Sequence, residues 1–296
     1  MIPIFEIDDY LTGEVEHICR MPCPNKFVHH YSKLDSILSI LETKCIWLMH
    51  FSHMNDSSEG KLILENSIGN KSDSRKIKEL LLENYYICCF SNYGNLLSQW
   101  RAYGDINIGF DRKSFEAGKR LIEDKNSEKV YTSGVHFSDC NYINEKDKEF
   151  NQAIEKVKSH LNCVHNPPDI NDQYHLLTAG LICFSNKHSG FKEEAESRLF
   201  EYLWGIMPFK YESRKYVKYK FEESQVKRIV VGPSSNQELN IEKIQYFIKN
   251  HPKYRKVKIY VSKIPFIDMK VEQKNALDRA TACLVRRLPF FKRFCS

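Results

Sequence analysis

Four groups of residues have the types and spacing to do chemistry. The first is Glu194-Ala195-Glu196-Ser197-Arg198, which stands immediately before an apolar run. In an extended backbone, side chains two apart share a face, so Glu194, Glu196 and Arg198 would line up together. An arginine beside buried carboxylates keeps them ionised and holds them by charge-assisted bonds. A carboxylate held that way can stabilise a developing cationic centre on a sugar, or polarise an attacking hydroxyl. In a helix the same residues reduce to an i, i+4 surface pair, Glu194 with Arg198, worth tenths of a kcal/mol. Spacing alone leaves both readings open.

The second group is His29-His30-Tyr31-Ser32, at the end of the short apolar run that begins at Phe27. Leu34, Ile37, Leu38 and Leu41 follow at i, i+3, i+4 and i+7, the spacing of an amphipathic helix. Ser32 occupies the place of an N-cap, with Asp35 as the acidic partner of a capping box. A second apolar run, Cys45 to Met49, comes next. A strand leading into a helix N-terminus would set these polar residues beside free N–H groups and the positive end of a helix dipole. That suits an anionic or nucleotide ligand. The alternative is an ordinary junction with a surface histidine pair.

The third group joins Ser91, at the end of the apolar run Tyr85 to Phe90, to Trp100 and Tyr103. The two aromatics lie three apart, on one helical face, and could stack a flat ring such as nicotinamide or adenine; the same spacing also suits core packing. Asn55 and Asp56 form a fourth polar point, most simply an Asx-type turn.

The chain lacks a GxxxxGK[ST] loop, a GxGxxG turn, a GxSxG elbow and an HExxH helix, so the simplest phosphate-binding, dinucleotide-binding, hydrolase and zinc-protease assignments fall away. Its 10 cysteines show no paired ligand spacing, and no metal is expected. The 296 residues carry 44 Lys and Arg against 38 Asp and Glu, a net charge of +6 that permits a nucleic-acid partner without arguing for one. No secretion signal or membrane-length apolar run is read, so a cytoplasmic protein with reduced thiols and no membrane span is expected.

The elements that must position these groups mix strands and helices without a βαβ rhythm, which indicates an α+β fold. The expected organisation is an irregular lead-in over 1–26, a single α+β domain over 27–270 and a basic C-terminal tail over 271–296. Helices are expected over roughly 57–83, 113–124 and 237–250, with a helical insertion at about 144–187. Strands are expected at Tyr85 to Phe90, Ile106 to Phe110, Val130 to Phe137, Arg198 to Trp204, Lys215 to Phe221, Val226 to Val231 and Val257 to Val261.

The ordered set His-His-Tyr-Ser, Asn-Asp-x-x-Glu, Cys-Phe-Ser, Ser-Gln-Trp-x-x-Tyr-Gly, Ile-Gly-Phe, Glu-x-Glu-x-Arg and Ile-Val-Val-Gly-Pro resembles the bacterial family called domain of unknown function 2971, over about residues 27–262. That resemblance implies a role in anti-phage defence, with an antitoxin or other defence-system partner. More distantly, the Phe27–Leu48 unit is similar to the first dinucleotide-binding element of ADP-ribosyltransferases of the DNA-modifying toxin type. This second likeness implies a mixed sheet of ADP-ribosyltransferase type with flanking helices, and NAD as substrate. It implies that His30, Tyr31 and Ser32 grip the dinucleotide. Asn55, Asp56, Ser91, Trp100 and Tyr103 would complete its binding, Glu196 would be catalytic with Glu194 beside it, and Arg198 would fix Glu196. The acceptor of ADP-ribose would be a nucleic acid or a protein, or water in a glycohydrolase. A non-catalytic nucleotide- or phage-sensing module and a metal-dependent nuclease using Asp56, Glu194 and Glu196 are the alternatives.

Overall fold

The computed structural model describes residues 15–18, 26–54, 60–68, 72–116, 120–123, 131–133, 136–165, 172–202, 209–211 and 213–265. Asn55, Asp56 and the basic 271–296 segment lie outside these residues. The fold is α+β, built on a mixed, open central sheet with several helices.

The strands are β1 (Val15–Ile18), β2 (Phe27–Ser32), β3 (Cys45–His50), β4 (Tyr85–Ser91), β5 (Ile106–Asp111), β6 (Arg120–Glu123), β7 (Tyr131–Ser133), β8 (His136–Asp139), β9 (Asn141–Ile143), β10 (Asn186–His188), β11 (Glu196–Tyr202), β12 (Phe209–Tyr211), β13 (Arg214–Lys220), β14 (Val226–Val231) and β15 (Lys258–Ser262). The helices are α1 (Leu34–Thr43), α2 (Lys61–Ser67), α3 (Ser72–Glu83), α4 (Leu97–Tyr103), α5 (Lys113–Glu116), α6 (Lys148–Leu161), α7 (Gln173–Phe184) and α8 (Gln237–Asn250). The main path of the large sheet runs β1-β15-β14-β5-β2-β4-β3-β13-β6-β7, with β11 and β8 joined at β4 and β12 at β13. β15 lies parallel to β1 and β14, while the pairs around β2, β3 and β4 are antiparallel.

β4 positions the site. One edge is laddered to β11 along its whole length, from Glu196 opposite Ser91 to Tyr202 opposite Tyr85. Its other edge is shared. β2 meets it only at His29 opposite Ser91, and β3 only at Met49 opposite Ile87 and His50 opposite Tyr86. β2 and β3 therefore fork apart along β4, and the stretch Cys88 to Phe90 faces the gap between them.

β4 is apolar from Tyr85 to Phe90 because both its faces are covered, as for any strand buried on two sides. Tyr86, Cys88 and Phe90 join a core with Ile37, Leu41, Ile108, Val217 and Ile244. Tyr85 and Ile87 join a second core made by α2, α6 and α7, with Val157, Leu176, Ala179 and Phe184. At Gly180 of α7 an added Cβ would stand 2.1 Å from the Tyr85 ring, so the helix backbone sits close on the sheet there. Helices α6 and α7 are bracketed by β9 and β10, which pair with each other in parallel.

Several local expectations are corrected. Ser32 is still in the β2 ladder opposite Ile106, so the α1 N-cap is Lys33, without a side-chain capping bond. The capping box is therefore absent. The buried face of α1 is Leu34, Ile37 and Leu41, each contributing about 1.5–3 kcal/mol by burial. The 113–124 stretch is one short helix followed by β6, and the strand expected from Val130 to Phe137 is two strands, β7 and β8. Within the 1–26 lead-in, Val15–Ile18 adds a strand parallel to β15, an addition that no local pattern announced. Among the described residues no helix is long and apolar enough to cross a membrane.

Candidate active site

A cavity of about 430 Å³ opens at the fork. His29, His30 and Tyr31 of β2 form one wall, and Trp47 and Met49 of β3 the other. Cys88, Cys89 and Phe90 of β4 lie between them, and Ser91, Tyr103, Phe191, Lys187, Glu194 and Glu196 are also on the lining. Three of the large exposed hydrophobic side chains of the protein, Trp47, Tyr103 and Phe191, stand around this one cavity. Trp47, 39% exposed, stacks on Tyr216 with centroids 4.0 Å apart.

The acidic segment is neither wholly extended nor a surface helix. Ser189–Glu194 is a 3-10 turn, Ala195 takes a left-handed φ of 44°, and β11 starts at Glu196. Glu196 and Arg198 consequently share a strand face, and Glu194 reaches the same place from the turn before it. The Glu194 carbonyl accepts a hydrogen bond from Ser91 Oγ at 2.9 Å, and the Asn92 amide donates to the Ala195 carbonyl at 2.8 Å, so the turn is tied to β4.

The charged groups alternate. Arg198, fully buried, donates from Nε to Glu196 Oε1 at 2.7 Å and from Nη2 to Oε2 at 3.0 Å. Lys187 Nζ donates to Glu196 Oε2 at 2.9 Å and to Glu194 Oε2 at 2.6 Å. Burial, the largest effect on Glu196, pushes its carboxyl upward. The Arg198 charge and hydrogen bonds, with lesser help from Lys187 and the Cys89 thiol, outweigh it and hold the group at about 2. Glu196 is therefore an anion at neutral pH. Burying such a charge without partners would cost several kcal/mol.

His29 and His30 are neutral. Burial lowers the His30 value, against a weaker opposing bond to the Cys89 carbonyl. Because that carbonyl only accepts, His30 Nδ1 carries the proton, at 3.2 Å, and Nε2 is left as an acceptor. Burial also takes His29 down to about 3, with its Nδ1 bonded to Asn107 Oδ1 at 2.9 Å. The Tyr31 hydroxyl donates to the Tyr93 carbonyl at 2.6 Å and accepts from the Leu96 amide at 3.2 Å.

Of the residues singled out in the sequence, His30, Tyr31, Ser91, Tyr103, Glu194 and Glu196 line the cavity, and Arg198 lies behind Glu196. Trp100 is not on the lining. It is buried with Tyr31, Val230 and Tyr260, its ring 4.5 Å from that of Tyr31 and its Nε1 bonded to Asn95 Oδ1. Ser32 is likewise off the lining, and Asn55 and Asp56 lie outside the described residues. Sequence reasoning missed Lys187, Trp47 and Phe191, and gave His29 no part in gripping the dinucleotide. Nothing local to Lys187 marks it. The Trp47 signal was present in the alternation of Ile46, Trp47 and Leu48, where an aromatic occupies the face opposite two core residues. Among the described residues, no three His, Cys, Asp or Glu side chains are grouped to hold a metal ion.

Residues 99–199 match the family model described as Protein of unknown function (DUF2971). The match covers about a third of the chain, from α4 into β11, and includes Tyr103, Lys187, Glu194, Glu196 and Arg198. It leaves out the β2 and β3 walls of the cavity. No curated protein and no solved structure matches the chain.

Proposed function

We propose that this chain breaks the nicotinamide–ribose bond of NAD, passing ADP-ribose either to water or to an acceptor on a nucleic acid or protein. The observation that carries the reading is the ionised Glu196, held at a cavity wall beside Glu194, with neutral His30 on the same lining. When the C1′–N bond breaks, its electron pair leaves with the nicotinamide nitrogen and cancels that ring's positive charge. The ribose is left as an oxocarbenium-like cation, which a nearby carboxylate favours. Water or an acceptor hydroxyl then bonds to C1′ and loses its proton.

The cavity's size suits the ring-and-pentose end of the dinucleotide. Trp47, Tyr103 and Phe191 offer flat surfaces to a ring, and His30 Nε2 can accept from a ribose hydroxyl. The expected fold kinship with ADP-ribosyltransferases belongs to this proposal. So does a role as an effector in bacterial anti-phage defence, with an antitoxin or other defence-system partner, which rests on the family resemblance.

One observation favours the alternative of a non-catalytic nucleotide- or phage-sensing module: both Glu196 oxygens already have donors. The metal-dependent nuclease has less support, since the Lys187 ammonium already bridges Glu194 and Glu196. The deciding experiment incubates purified protein with labelled NAD, with and without nucleic acid, and compares Glu196→Gln. Nicotinamide release that drops about 100-fold or more in the variant is expected. Tight binding with no turnover under any condition would establish the sensor instead. Plating phage on cells carrying either form tests the defence role.

A further inference from the structure

Among the described residues of the helical insertion, one side chain meets the carboxylates. Lys187 is the middle residue of β10, the short strand that returns the chain from α7. Its side chain is 6% exposed, and its ammonium bridges Glu194 and Glu196 while lying 4.7 Å from the centre of the Phe191 ring. Among the described residues, Lys187 is the cation bonded to Glu194, whereas Glu196 also has Arg198.

The two carboxylates differ in a way that separates their roles. Glu196, with a side chain 7% exposed, has donors on both oxygens. Glu194 is 21% exposed, and its Oε1 has no hydrogen-bond partner among the described residues. Its backbone is pinned by Ser91 on one side of the Ala195 turn and by Asn92 on the other.

We propose that Lys187 is a positioning residue: it joins the insertion to the carboxylate pair and presents the outer oxygen of Glu194 to the bound ribose, with Glu196 as the fixed anchor behind. The Glu194 role rests on the dinucleotide reading above; the grip of Lys187 on the pair does not. Two carboxylates this close repel, and without the ammonium between them one takes up a proton more readily. The other groups facing the pair are Arg198 of β11, Cys88 and Cys89 of β4, His30 of β2 and Tyr142 of β9, whose hydroxyl accepts from the Glu196 amide at 2.7 Å. Cys140 stands beside Arg198.

The test compares the wild type with Lys187→Met, Lys187→Gln and Lys187→Arg. Glu194→Gln and Glu196→Gln assign the signals in a carbon-13 carboxyl NMR titration. In whichever neutral variant is folded by circular dichroism, the pair should take its first proton about one pH unit higher than in the wild type, or more. Lys187→Arg should restore the wild-type titration. In turnover, a neutral variant should lose about tenfold or more in kcat with little change in KM, and the acid limb of its pH profile should move upward. An unshifted titration in a folded neutral variant overturns the positioning role, whether or not NAD is turned over. A shifted titration with no nicotinamide release from the wild type upholds the Lys187 grip and overturns both the dinucleotide reading and the substrate role of Glu194. Full turnover by Glu194→Gln, with Glu196→Gln inactive, overturns the Glu194 role alone.

Discussion

Arg198 closes a ring with Glu196, two residues before it on the same strand: Nε and Nη2 each meet one carboxylate oxygen, at 2.7 and 3.0 Å. Its remaining terminal nitrogen, Nη1, donates at 2.6 Å to the carbonyl of Phe184, the last residue of α7. The carbonyl end of a helix carries partial negative charge, so a buried guanidinium is stabilised there too. One side chain thus joins the central sheet, α7 and the site.

Arg198→Met is expected to destabilise the protein by about 3–5 kcal/mol, since it strips a buried carboxylate of its main counter-charge. Urea denaturation measures this. Converting Glu196 to Leu in the same chain should recover a large part of the loss, because the orphaned charge is then gone. A double variant no more stable than Arg198→Met alone would show that the stability lies in packing around Arg198 instead.

Acid should unfold the protein in two stages. His29, neutral when folded because burial lowers it to about 3, leaves the unfolded chain to bind the extra proton. Its stabilisation is complete above about 6.5 and is lost as the pH falls from there towards 3. Glu196, at about 2 when folded, contributes above the ordinary carboxylate value and loses that contribution as the pH falls through 2. The latter is worth on the order of 3 kcal/mol. Denaturation midpoints across pH 2–7 should lose part of their slope in the upper stage for His29→Gln, because burial lowers His30 and His50 as well, and in the lower stage for Glu196→Gln.

Gly180→Ala tests how closely α7 sits on the sheet. Alanine favours a helix by about 1 kcal/mol over glycine, which alone predicts stabilisation. The new Cβ would instead stand 2.1 Å from the buried Tyr85 ring, and overpacking costs about 1–3 kcal/mol. A net loss of stability is expected, relieved by Tyr85→Leu in the same chain. A higher melting temperature in Gly180→Ala would contradict the packing described.

Trp100 and Tyr103 should separate by assay. Trp100→Phe loses a buried indole and its bond to Asn95, so melting should shift downward with ligand affinity kept. Tyr103, 38% exposed on the cavity lining, should behave in the opposite way. Tyr103→Ala is expected to weaken NAD binding by about 3- to 10-fold, corresponding to about 0.5–1.5 kcal/mol for one aromatic contact, with stability little changed. Isothermal titration and thermal melts distinguish the two.

Much of the secondary structure follows from local pattern. The period of Leu34, Ile37 and Leu41 marks α1, and the unbroken apolar run from Tyr85 marks a strand buried on both faces. Where local pattern misled, a partner distant in sequence decided the outcome. Ser32 is a good capping residue, but its pairing with Ile106 keeps it in the β2 ladder. Trp100 has the spacing of a ligand platform, but Tyr31 and Tyr260 enclose it. Val15–Ile18 is a strand because β15 offers an edge.

The sequence by itself determined an α+β chain and the residue types at its centre: two histidines after an apolar run, and two glutamates and an arginine ahead of another. Tertiary structure alone decided which of them meet. The fork of β2 and β3 along β4 opens the cavity, and a left-handed Ala195 turns Glu194 towards Glu196. Lys187 arrives after α6 and α7, where the β9–β10 pairing brings the chain back. Strand period and helix period act over a few residues and can be read along the chain. A cation bridging two carboxylates is set by the pairing of segments distant in sequence, and local pattern carries no mark of that pairing.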